Sequence, residues 1–305
     1  MPSERRLSGA REMLSLAPDQ LVVPNILLAT DFSGSSTRAL AYAVGVAARY
    51  ESELRLFHCL DPRRYMLADR EVVWKTRDDL ESELQSLAST SRRDRAKDLA
   101  INVIVEVGDF SATFRQVVKH IDPSLIVVGT HGRTGWRKMA LGSVTETVID
   151  QAPCPVLTVG PSTRRRRIEE SGPENILLVT QAAARSSLAQ SYAFSLAHKY
   201  GSRLIAVDVL KNESGRVVAH VSELECCQPG FANAIPDKEL TRPSMMPTEI
   251  GTESDLILQV AEDSAADLIV LPVPETHRFT DRFLSTASYR VVCGAPCPVL
   301  TVRAR

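Results

Sequence analysis

The sequence has almost no excess of charge of either sign, with 36 lysines and arginines against 37 aspartates and glutamates in 305 residues. Nucleic acid and anionic membrane surfaces are bound through a basic excess, so neither is expected as a partner. No apolar run approaches the length of a membrane-spanning helix. The first twenty residues carry charges throughout and no apolar segment, so they do not read as a secretory signal. Six cysteines, at 59, 154, 226, 227, 293 and 297, show no C-x-x-C spacing, and several sit in apolar runs. That pattern predicts reduced thiols in a cytoplasmic protein rather than a disulfide framework or a zinc site. No histidine, cysteine or carboxylate cluster has metal-ligand spacing. The two standard nucleotide loops are missing as well, since neither G-x-x-x-x-G-K-[ST] nor G-x-G-x-x-G occurs.

What is present is an alternation of short apolar runs and amphipathic segments. Strands are expected at 25–29, 53–59, 101–107, 125–128 and 155–159, with helices at 35–50, within 71–100, at 111–121 and after Gly142. The long charged segment 71–100 carries Leu80, Leu84 and Leu87 as its inward stripe. Strands that alternate with helices predict an α/β fold, a parallel sheet covered by helices on both faces.

The second half repeats the first. Asn175-Ile176-Leu177-Leu178 repeats Asn25-Ile26-Leu27-Leu28, Leu268-Ile269-Val270 answers Leu125-Ile126-Val127, and residues 295–302 repeat 152–159 letter for letter as APCPVLTV. The long charged helix has no full counterpart, and residues 211–247, with four prolines, read as irregular. The expected organisation is an N-terminal arm (1–23), a first domain (24–160), a linker rich in Pro, Gly, Ser and charge (161–173) and a second domain (174–305). The arginines at 164–167 read as part of the solvated linker.

The stretch 129–146, GTHGRTGWRKMALGSVTE, links the strand at 125–128 to a helix. Its glycines allow positive φ or close approach to a ligand. Ser143 is placed to cap the helix, whose first amides and dipole favour an anion. The pattern G-x-x-G, nine residues, then G-S resembles the ATP-binding motif of the universal stress protein family. Asp31, in a Thr30-Asp31-Phe32-Ser33 turn after the first strand, resembles that family's ribose-binding aspartate. The resemblance covers residues 24–160 in motif and 174–303 in framework.

The resemblance implies a Rossmann-like, adenine-nucleotide-binding sheet of five parallel strands, in order 3-2-1-4-5, in each repeat. It implies an ATP site on Ala29, Asp31, Cys59, Val128, Gly129, Gly132, Gly142, Ser143 and Val144. A magnesium ion riding on the phosphates would need only Ser143 or Thr145 and water. In the second repeat Gln181 stands for Asp31, and Pro272, Glu275, Ser285 and Thr286 stand for the four loop positions. Proline offers no N–H and Glu275 would repel phosphate, so that repeat is not expected to bind ATP. No catalytic residue is expected. His58 and His131 lack a nucleophile with an orienting third group. Arg133, Arg137 and Lys138 are equally phosphate partners or a solvated face.

The expected function is therefore ATP binding by the first repeat with a regulatory, stress-response output and an unnamed protein partner. The alternatives are a slow ATPase or nucleotidyl-transferring enzyme, and a nucleotide-free interaction module. Single-domain members of the resembling family dimerise through the fifth strand. Here the two APCPVLTV strands are expected to pair with each other as an intramolecular pseudo-dimer, with a further homodimer also compatible.

Overall fold

Apolar runs too short for helices and flanked by turn residues become the strands of one sheet. The computed structural model describes residues 21–61, 77–95, 99–130, 141–163, 172–180, 187–211, 217–224, 244–246, 252–273 and 287–303. The first repeat comprises β1 (Asn25–Ala29), α1 (Gly34–Tyr50), β2 (Glu53–Leu60), α2 (Arg77–Arg95), β3 (Ile101–Val107), α3 (Phe110–Ile121), β4 (Leu125–Gly129), α4 (Ser143–Gln151) and β5 (Val156–Val159). The second comprises β6 (Asn175–Thr180), α5 (Ser187–Tyr200), β7 (Arg203–Lys211), β8 (Val217–Leu224), β9 (Ser244–Met246), α6 (Glu253–Asp263), β10 (Leu268–Val273), α7 (Ala287–Gly294) and β11 (Val299–Arg303). The expected strands and helices of the first repeat are present, with ends shifted by a residue or so. The helix expected within 71–100 is described from 77 to 95.

The eleven strands among the described residues form one sheet, in order β3-β2-β1-β4-β5-β11-β10-β6-β7-β8-β9. The first repeat has the order 3-2-1-4-5, with parallel pairing throughout. The second departs from it. β8 pairs antiparallel with β7 along its whole length, and β9 pairs antiparallel with β8. Residues 217–224 and 244–246, read as irregular in sequence, are thus strands, and the second repeat is not the five-stranded parallel sheet expected. β9 lies where the sequence repeat places the counterpart of β3, and β8 is inserted beside β7. A hairpin return replaces a helical crossover, because antiparallel neighbours need only a short connection.

The join between the repeats is the antiparallel pair β5–β11, with Val156 opposite Thr301, Leu157 opposite Leu300 and Thr158 opposite Val299. Thr158 Oγ1 donates to the Val299 carbonyl at 3.1 Å, and Thr301 Oγ1 donates to the Val156 carbonyl at 3.2 Å. Thr158 corresponds to Thr301 in the repeat, and Val156 to Val299, so each bond is the other turned about a twofold axis. Leu157 and Leu300 face each other across that axis. Both threonines are buried, where an unpaired hydroxyl would be costly. A twofold contact demands the same residues from both sides, which accounts physically for the letter-for-letter repetition of APCPVLTV.

Helices cover both faces. One core, built on α1, α2 and α5, takes alternate strand residues such as Ile26, Leu28, Val127, Leu178 and Val270. The other, under α3, α4, α6 and α7, takes Leu27, Ile126, Leu177 and Ile269. Each core runs without interruption from one repeat into the other. On the first face an apolar cavity of about 70 Å³ lies on the join between α1 and α5. Tyr50 and Tyr200 meet edge-on beside it, at 6.3 Å between centroids. Val23, assigned to the arm in sequence, is buried in this core.

Residues 1–163 expressed alone would leave β5 as an apolar, unpaired edge. They should form a homodimer through that strand or aggregate. Light scattering that finds a stable monomer would contradict the pairing account.

Candidate functional site

In an open α/β sheet a ligand crevice opens at the strand C-termini where the strand order reverses. Here that point lies between β1 and β4, which are neighbours in register up to Ala29 opposite Val128. The turn that carries Asp31 and the loop that starts at Gly129 therefore leave the sheet side by side. Ala29 and Val128 are buried at the crevice floor. Gly132, His131, Arg133, Arg137 and Lys138 lie outside the described residues, as do Gln181, Glu275, Ser285 and Thr286.

The Asp31 turn is held from three sides. Asp31 Oδ1 accepts from the Ser33 N–H at 3.0 Å, an Asx turn. Ser33 caps α1 by accepting from the Ser36 N–H at 3.2 Å. His58 Nδ1 lies 2.8 Å from the Thr30 carbonyl, and its ring packs against Phe32, which has a left-handed φ of 61°. His58 is thus a brace for the turn, in line with its expected hydrogen-bonded, partly buried role. A carboxylate accepts up to about four hydrogen bonds, so the turn bond does not by itself saturate Asp31.

β2 outruns β1 by three residues, His58 to Leu60, which pair there with β3. The Phe57 carbonyl accepts from Thr30 N–H on the β1 side, and the Leu60 carbonyl from Gly108 N–H on the β3 side. Backbone groups alternate along a strand, so the N–H and C=O of Cys59 point to the β1 side, beyond the end of that strand and over the crevice. The thiol turns the other way and donates to the Gly108 carbonyl at 3.5 Å, and burial pushes its pKa up.

The glycine loop returns to a fixed stem. The Gly142 N–H donates to the Thr130 carbonyl at 2.9 Å, and Thr130 N–H donates to Val159 at 3.0 Å. Thr145 is buried and its hydroxyl donates to the Gly129 carbonyl at 2.8 Å. Of the two hydroxyls expected to be able to meet a magnesium ion, only Ser143 is exposed. Two local expectations are corrected. Gly142, not Ser143, is the N-cap of α4, with φ −68° and ψ 146°, and no side chain caps the helix. Ser143 is the first helical residue, because either of two adjacent small residues can take the extended cap conformation. Nor do Gly129 and Gly142 use positive φ. At Gly129 the requirement is space, since a Cβ there would lie 2.8 Å from the Ser35 backbone carbon. That glycine lets the start of α1 close onto the end of β4.

The chemistry of this donor set fits a nucleotide. The first turn of α4 presents amides that no N-cap side chain occupies, which suits phosphate. Asp31 suits vicinal hydroxyls, and the Cys59 backbone offers a donor and an acceptor. Val144 is half-buried against the core beneath. The equivalent place in the second repeat differs. Pro272 is buried within β10, paired with Val302, where it has no N–H to give.

Two groups at the loop stem were not foreseen. Tyr289 Oη, on α7 of the second repeat, accepts from the Leu141 N–H at 3.0 Å. Arg303, on β11, donates to the Ile149 carbonyl at 2.7 Å and to the Asp150 carbonyl. Neither has a sequence signature, since the partners lie about 150 residues apart.

Gly129→Ala should destabilise the nucleotide-free protein by about 1–3 kcal/mol, because the methyl group meets backbone rather than a flexible side chain. Urea unfolding measures it, and unchanged stability would show that Gly129 is not a packing requirement.

The family model for the universal stress protein family matches residues 23–160 and 236–303. A universal stress protein of Methanocaldococcus jannaschii is 28% identical over 137 residues, covering 44% of this chain and 80% of that one. A Staphylococcus aureus relative bearing the same family name is 30% identical over 139 residues, again 44% of this chain and 82% of its own length. Among solved structures, a universal stress protein of Archaeoglobus fulgidus aligns with 92% of this chain and 98% of its own, with a TM-score of 0.62 at 16% identity. A Pseudomonas aeruginosa protein of unknown function aligns with 96% of this chain and 95% of its own at a TM-score of 0.56, also at 16% identity. These two likenesses show the fold, whereas the family model spans more than half of the sequence: the chain belongs to the universal stress protein family.

Proposed function

We propose that the first repeat binds one ATP in the crevice between β1 and β4, and that occupancy serves a regulatory output rather than turnover. The observation that carries this reading is the convergence there of the Asp31 turn, the Cys59 backbone and the start of α4, which has no side-chain cap. In the proposed pose Asp31 takes the ribose hydroxyls, and Cys59 faces the adenine edge. Ala29, Val128 and Val144 line the apolar wall. Gly129, Gly132, Gly142 and Ser143 receive the phosphates, with a magnesium ion carried on them. The second repeat is proposed to hold no ATP, because Pro272 interrupts the equivalent crevice.

The absence of turnover is also a proposal. Phosphoryl transfer needs a group that orients or deprotonates the nucleophile. His58 already braces the Thr30 carbonyl, which leaves His131 as the base an enzymatic reading would need.

Calorimetry with ATP should find one site per chain, and two equal sites or none would overturn the reading. Gly142→Val should abolish binding, because a branched side chain at the loop–helix junction blocks the approach of phosphate. Steady-state hydrolysis should stay far below about 1 per second. A rate at or above that value, lost in Asp31→Ala or His131→Ala, would establish an enzyme instead.

A further inference from the structure

The second repeat holds both ends of α4, the helix whose start faces the proposed phosphate site. At its C-terminal end Arg303 reaches the last-turn carbonyls of Ile149 and Asp150. A cation there satisfies acceptors that the helix leaves open. Just before its N-terminal end, Tyr289 accepts from the N–H of Leu141, the residue preceding Gly142 and Ser143. Tyr289 and Leu141 are both buried, at 8% and 6% exposure. Cys293, one turn further along α7, also contacts Tyr289 and the Leu141 backbone. Two other stem bonds among the described residues, from Gly142 to Thr130 and from Thr145 to Gly129, lie within the first repeat. The Tyr289 bond joins the loop stem to the other repeat.

We propose that Tyr289 is a positioning residue for the phosphate loop, so that the second repeat, lacking its own nucleotide crevice, tunes the affinity of the first. This rests on the ATP reading given above. If the bond is absent, the Leu141 amide keeps only the weaker sulfur acceptor of Cys293, and the stem shifts toward it, moving the Gly142–Ser143 amides with it. Phosphate recognition depends on those amides. Recognition of the nucleoside depends on Asp31, in the turn after β1, and on the backbone of Cys59, on β2, neither of which is part of the Leu141–Tyr289 bond. The inference therefore separates two ligands that a general loss of stability would affect alike. Linkage also runs in reverse: whatever displaces α7 weakens ATP by the same factor that ATP opposes the displacement.

The test uses the full chain and Tyr289→Phe, which keeps the ring and removes the acceptor. Calorimetry should show the ATP dissociation constant raised about three- to tenfold, the range of one hydrogen bond. The constant for adenosine should be unchanged. Equal ATP affinities in the two proteins overturn the inference alone, and an equal loss for ATP and adenosine reduces Tyr289 to a structural residue. If the wild-type protein binds neither ligand, the nucleotide reading fails and the inference with it. A second measurement needs no variant. In the nucleotide-free wild-type protein the Leu141 amide should exchange slowly, as a buried bonded amide does, and exchange at the unprotected rate would contradict the bond itself.

Discussion

The antiparallel pairing of β5 with β11 is the contact on which the rest of the architecture depends. It turns a five-stranded and a six-stranded unit into one sheet, so that two strands that would otherwise be exposed edges become interior. An edge strand of this composition is an aggregation hazard. Here its covering is built into the same polypeptide, and the cores on both faces run across the join. The paired threonine bonds and the facing leucines impose twofold sequence identity at this place and at few others. That is why the framework of the second repeat persists at β11 while its crevice has changed.

The two repeats differ at the ends of β4 and β10. At the end of β4, Gly129 admits the backbone of α1, and the start of α4 has no side-chain cap. At the equivalent end of β10, Pro272 continues the strand into the core. In the second repeat the antiparallel strand β8 lies between β7 and β9 in the sheet, where the first repeat pairs β2 directly with β3. The second repeat's contributions to the proposed nucleotide site come through Tyr289 and Arg303, each reaching a backbone group of the first repeat.

Much of the first repeat was legible in the sequence because β1, β4 and β5 are near-continuous apolar runs, as strands buried on both faces must be, while β2 and β3 mix apolar with polar residues. The parallel order came from the family resemblance, and the pairing of the repeats from the identity of two eight-residue stretches. What was not legible has identifiable causes. The segment containing β8, VVAHVSEL, alternates only weakly and sits beside a proline-rich stretch, so composition masked it. The cap of α4 shifted by one residue because Gly142 and Ser143 both suit that position. Gly129 carried a motif meaning in sequence, and the structure adds a packing one. Contacts such as Tyr289 with Leu141 have no local pattern, since they arise only once the sheet has closed across the join.

The central claim is that one chain carries one nucleotide site, built on the first repeat and supported by the second. Amide hydrogen exchange followed along the whole chain, with and without ATP, addresses it most directly. The account predicts protection confined to the turn after β1, the extension of β2 past Phe57, and the loop and first turn around Gly142. The strand ends after β6 and β10 should be unaffected. Equal protection at both sets of strand ends, or none at either, would contradict it.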